Sequence, residues 1–140
     1  MNIKIPENNN LKEEIEELLN ICEELEEESE TEFFDGINEV KMAEWEAVNG
    51  IKLPDTYKEW LRFSDGAIVL DTLARLYSLE QVNIDDNECS DDNVIIGEVI
   101  GDGTRLCFSK TTSEFIWYDH GKQRKYADFK GILEKLLLMI

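Results

Sequence analysis

Apolar residues along the first part of the chain recur at helical spacing. Leu11, Ile15, Leu18, Leu19, Cys22 and Leu25 fall on one stripe of a helix, and the opposite face is almost all glutamate. Asn10 reads as the cap of this helix, with Glu13 three positions on as its capping-box partner. Glu26, Glu27 and Glu28 sit where the backbone dipole disfavours anions, so this end is expected to fray. The like charges repel one another, so docking of the apolar stripe has to supply the stability. A second helix is predicted over residues 38–48, burying Ile37, Met42, Trp45 and Val48, and a third over residues 55–64.

The period then changes. Residues 67–70 are a short apolar run, and residues 74–79 (ARLYSL) alternate like a half-buried strand. An acidic loop covers residues 83–93. Residues 94–100 (VIIGEVI) and 104–109 (TRLCFS) flank Gly101-Asp102-Gly103 as a hairpin, glycine supplying the positive φ. Residues 114–118 (EFIWY) make one more strand, ended by Asp119-His120-Gly121. Asp128 opens a C-terminal helix with Phe129, Ile132, Leu133, Leu136, Leu137 and Ile140 on its apolar side. Helices, then antiparallel strands, then a helix predict an α+β fold. A mainly antiparallel sheet of about four to six strands is flanked by N-terminal helices and a C-terminal helix. At 140 residues the chain makes one domain, with residues 1–36 as an acidic helical extension packed on a core of residues 37–140.

Charge changes the picture more than overall composition does. The net charge is −18 and unevenly spread. Residues 1–49 hold 16 carboxylates against 3 lysines, and residues 83–92 hold 5 carboxylates and no base. Residues 50–82 and 93–140 are each within one charge of neutrality. Such a field repels nucleic-acid phosphates and anionic membranes and attracts basic proteins. No apolar run is long enough to span a bilayer, and the N-terminus lacks the apolar core of a signal peptide, so a cytoplasmic protein is expected. Cys22, Cys89 and Cys107 are an odd count without CxxC spacing, which indicates neither a disulfide framework nor a zinc site.

The most informative stretch is residues 44–66, EWEAVNGIKLPDTYKEWLRFSDG. Gly50 can adopt the left-handed conformation that ends a helix, and Pro54 suits the first turn of the next. Tyr57, Trp60, Leu61 and Ser64 follow at helical spacing, and Gly66 is expected to close the helix. This order resembles the signature of the SUKH (Smi/Knr-like) superfamily, E-x-x-x-G-x-x-LP-x-x-[YF] leading into a second helix and then glycine. Further matches follow at Leu79-Glu80-Gln81-Val82, the stretch from Gly97 to Gly103, Ile116-Trp117-Tyr118-Asp119 and Phe129. The resemblance covers roughly residues 37–138; Ala67 and Ile68 depart from it, standing where a small residue usually follows the glycine. It implies a SUKH-like fold and a binding module. Many members of that superfamily look to be bacterial immunity proteins that neutralise a polymorphic toxin, often a nuclease, and fungal members act as regulatory scaffolds.

Candidate chemistry is sparse. His120, the one histidine, stands in a predicted turn with no second imidazole, which reads as a surface residue. The 85–92 loop lacks the alternating ligands, glycine and closing glutamate of an EF-hand. GEVIGDG, residues 97–103, has no lysine and opens no helix, so no phosphate cradle is expected. Trp45, Trp60 and Trp117 read as core or near-core aromatics. The expectation is therefore a non-enzyme with no cofactor and no metal. It would bind a basic protein, a toxin domain, with no nucleic acid or membrane partner, as a monomer or weak homodimer. The alternative is a regulatory or scaffolding module for another basic protein. The candidate contacts are Asp85, Asp86, Glu88, Asp91 and Asp92 in the loop, then Glu16, Glu23 and Glu27 of the first helix.

Overall fold

A computed structural model describes residues 3–84 and 91–140. Among these residues four helices and seven strands follow in order: α1 Lys12–Glu24, β1 Glu32–Phe33, α2 Glu39–Asn49, α3 Asp55–Phe63, β2 Ala67–Val69, β3 Ala74–Leu76, β4 Asn93–Val99, β5 Arg105–Ser109, β6 Phe115–Asp119, β7 Lys122–Tyr126 and α4 Phe129–Leu138. The strands form one antiparallel sheet in which each pairs with its neighbours in chain order. The fold is α+β, with the sheet flanked by N-terminal helices and a C-terminal helix.

The sheet has a packed inner face. Ala67, Val69, Ala74, Leu76, Val94, Ile96, Val99, Leu106, Phe108, Phe115 and Trp117 point into one core with the helices. Positions 94, 96 and 99 break the two-residue alternation of a strand, and a register shift between Ile95 and Gly97 absorbs the extra residue. Aromatic rings join α3 and α4 to the sheet. Phe129 lies 5.4 Å from Phe115, 5.6 Å from Trp60 and 5.8 Å from Tyr57, ring centre to ring centre. The Thr56 hydroxyl accepts from the Phe129 N–H at 2.8 Å, tying the start of α4 to the start of α3. The α1 stripe docks as expected: Leu11, Ile15, Leu18 and Cys22 are fully buried, and the helix packs on α4.

The signature corner between α2 and α3 explains itself mechanically. Asn38 caps α2 by accepting from the Lys41 N–H at 3.0 Å, and Gly50 ends it at φ 65°. Glu46 then reaches across the link: its carboxylate accepts from the Leu53 N–H at 2.8 Å and lies 3.6 Å from Lys58 Nζ. Pro54, extended at φ −60°, launches α3. The motif glutamate, glycine and Leu-Pro are thus parts of one turn, and Tyr57 is the ring that turn inserts into the core.

Several boundaries differ from the sequence-based expectation. Asn10 does not cap α1: Leu11 stands at the N-cap without a side-chain bond, and the buried Asn9 side chain before it accepts from the Leu11 N–H and donates to the Glu59 carbonyl, both at 2.9 Å. The helix begins at Lys12, and no capping box with Glu13 forms. Val48 is 84% exposed rather than buried, because α2 docks through Met42 while Ile37 and Trp45 are half-buried. Ser64 is the C-cap of α3, and Gly66 belongs to the turn into β2. The strand expected over residues 74–79 stops at Leu76. Leu79–Gln81 form a 3-10 turn closed by a reciprocal Ser78–Gln81 cap, after which Asn83 rejoins the sheet as a bridge to Ile95. Asp119-His120-Gly121 ends β6 as expected, and turns the chain into a further strand, β7, that the pattern did not show. Leu137 is half-buried and Ile140 is exposed.

Candidate functional site

The expected contact residues fall into two regions. Asp85, Asp86 and Glu88 lie outside the described residues. Asp91 is exposed, and its backbone carbonyl accepts from Lys110 Nζ at 3.0 Å. Asp92 is engaged within the fold: its carboxylate accepts from the hydroxyls of Ser109 and Thr111, and its carbonyl accepts from the Lys110 N–H at 2.8 Å. The Ser109 and Thr111 hydroxyls hold its carboxyl below the usual aspartate range. Asp92 therefore organises the turn from β5 to β6, which sequence patterning alone did not distinguish from a free loop charge. Glu16, Glu23 and Glu27 are exposed on α1 and the turn after it, Glu16 at 3.9 Å from Lys12.

Asp91 and the chain leaving α1 lie toward opposite ends of β4. Asp91 and Asp92 precede the Asn93 end of β4. The chain leaving α1 is tied to the other end, with the Glu30 carbonyl accepting from the Asp71 N–H at 2.7 Å and the Thr31 hydroxyl from the Leu70 N–H at 2.9 Å. The turn containing Leu70 is held beside β4's far end by the Ile100 N–H, which donates to the Leu73 carbonyl at 2.9 Å. Strand length puts the two ends about 20 Å apart. A standard interface of about 800 Å² per partner is roughly 30 Å across, wide enough to span both ends.

The near-neutral body also proves polarised. Lys122, Arg124 and Lys125 are all exposed on β7, at the edge of the sheet. Lys135 of α4 lies 5.8 Å from the centre of the Trp117 ring. A positive charge is therefore repelled from the β7 edge and attracted to the acidic faces.

A groove that sequence reasoning missed runs between α2 and the 3-10 turn. Ile37, Trp45 and Leu79 give it an apolar floor, with Glu44, Asp65, Glu80 and Lys41 around it, over about 320 Å³. A second hollow of about 430 Å³ continues from it past Asp65 and Glu80 to Asp35 and Arg75 on β3. The walls are fixed by backbone bonds. The Ile37 N–H donates to the Leu61 carbonyl at 2.9 Å, the Asp65 N–H to the Asp35 carbonyl at 3.2 Å, and Asp65 Oδ1 accepts from the Leu79 N–H at 2.8 Å. Gly36 lets the link lie this close to α3, since a Cβ there would meet the Arg62 carbonyl oxygen at 1.9 Å. Trp45 was the one available signal, an aromatic residue on a helix whose apolar positions do not form a single stripe.

His120 is exposed at φ 48° and donates from Nε2 to the Asp102 carbonyl at 2.6 Å, joining the β6–β7 turn to the β4–β5 turn. Burial raises the Cys22 thiol above its ordinary value, with a hydrogen bond to Thr31 opposing. Tyr77 is pushed up to about 12 by burial and by Glu98, to which its hydroxyl donates at 3.1 Å. Among the described residues no group of three or more histidine, cysteine, aspartate or glutamate side chains could hold a metal ion. No helix among them is long and apolar enough to cross a membrane.

The fold and the α2–α3 corner define a SUKH-type protein. The chain belongs to the SMI1 / KNR4 family (SUKH-1), whose family model matches residues 36–135. No curated protein matches the chain.

Proposed function

We propose that this protein is a non-catalytic immunity module that neutralises a bacterial toxin by covering the toxin's basic substrate site with its own acidic surface. Membership of the SMI1 / KNR4 family is consistent with a toxin-immunity or related role. The observation that carries the reading is the exposed glutamate face of α1, which folding keeps in solvent although its charges repel one another. A nuclease toxin must present lysine and arginine to phosphates, so matched carboxylates both steer its approach and block the cleft. The regulatory alternative places another basic protein on the same surface, and gene neighbourhood separates the two.

Co-expression with the toxin encoded beside this gene tests the proposal. Rescued growth and a stable complex on gel filtration are expected. Unprotected cells, with no complex formed from purified proteins, contradict it.

A further inference from the structure

We infer that the groove between α2 and the 3-10 turn is the anchor point of the interface, and that it takes an arginine next to an apolar side chain on a loop of the partner. The inference deepens the proposed function and rests on the partner being a protein with basic side chains. Three features of the groove select this occupant. The floor of Ile37, Trp45 and Leu79 gains from an apolar side chain and supplies an indole on which a guanidinium can stack. Three carboxylates, Glu44, Asp65 and Glu80, stand against one ammonium, Lys41, so the groove complements a cation. Asp65 spends Oδ1 on the Leu79 N–H and keeps Oδ2 as an acceptor, while Glu44 and Glu80 are exposed. Arginine fits better than lysine because its planar fork can meet two carboxylate oxygens while its face lies on the ring. The walls are held by backbone hydrogen bonds, so little ordering is lost on binding. Hot spots in protein interfaces favour this combination of a packed aromatic residue and arginine.

The probe is N-acetyl-Leu-Arg-amide, titrated into the ¹⁵N-labelled full chain and followed by NMR. Saturating shifts are expected at the Trp45 indole and at the amides of residues 41–49, 65 and 79–81. The citrulline peptide, which keeps the shape and loses the charge, should bind roughly tenfold more weakly, the size of one charge-assisted hydrogen bond. The double variant Glu44→Gln/Glu80→Gln, both positions exposed, should show the same loss with an unchanged fold. Equal binding of the arginine and citrulline peptides overturns the assignment of a cation. Shifts confined to the glutamates of α1 overturn the assignment of the groove. Both results can occur while the protein still protects cells, so failure here is distinct from failure of the immunity reading.

Discussion

Two side chains decide between structural and functional readings at the scale of single residues. Asp92 looked like a surface charge, but its carboxylate gathers the Ser109 and Thr111 hydroxyls. Asp92→Asn should lower stability by about 1 kcal/mol, a modest value because the site is partly exposed. Its carboxyl is held below the ordinary range, so its stabilisation is full above about pH 4 and fades as pH falls further. Urea unfolding across pH 2.5–7 checks this: the variant should lose part of the acid-induced drop that the parent shows. Tyr57 offers the opposite case. Its hydroxyl is buried without a hydrogen-bond partner, and burial raises its pKa. Tyr57→Phe should therefore leave stability unchanged or raise it by up to about 1 kcal/mol, and a clear loss in the same assay would reveal a bond to the hydroxyl.

Among the elements, the α2–α3 corner was legible because its signals are local. Gly50, Leu53 and Pro54 each act within a turn of their own position, and the spacing between them sets the link. Glu46→Ala should cost about 1–2 kcal/mol by orphaning the Leu53 N–H, and Glu46→Gln, which keeps an acceptor oxygen, much less. Gly50→Ala meets no atom within 4 Å, so its cost should be conformational only, about 1–2 kcal/mol. Hydrogen exchange at the Leu53 amide separates the two, quickening in Glu46→Ala beyond the global change. Elements whose existence depends on a neighbour were not legible. Every side chain from Lys122 to Lys125 is exposed, so β7 has no apolar alternation to read and is a strand because its backbone pairs with β6. β1 is two residues long and forms only against β2. The start of α1 was not legible either, since Leu11 stands at its N-cap without a side-chain bond and the buried Asn9 before it is held by the Glu59 carbonyl of α3.

Over the whole molecule, charge was readable and its geometry was not. Counting carboxylates located the acidic face of α1 and the loop before β4, but only the fold sets Asp91 and the chain leaving α1 toward opposite ends of β4, with a basic edge at β7. The groove joins residues 37, 45, 65 and 79–80, which no window of sequence brings together. This division predicts a division of labour. Long-range charge governs the rate of encounter, and packed contacts govern the lifetime of the complex. Combined Glu16→Gln, Glu23→Gln and Glu27→Gln changes should slow association with little effect on dissociation, whereas Glu44→Gln/Glu80→Gln should chiefly speed dissociation, both measured by surface plasmon resonance. The most direct test of acidic steering is the stopped-flow association rate of this protein with the proposed toxin partner as ionic strength rises. From about 0.02 M to about 0.5 M salt the rate should fall at least tenfold, as screening shortens the reach of the field. A rate that stays constant over that range, with the complex still forming, would contradict the claim.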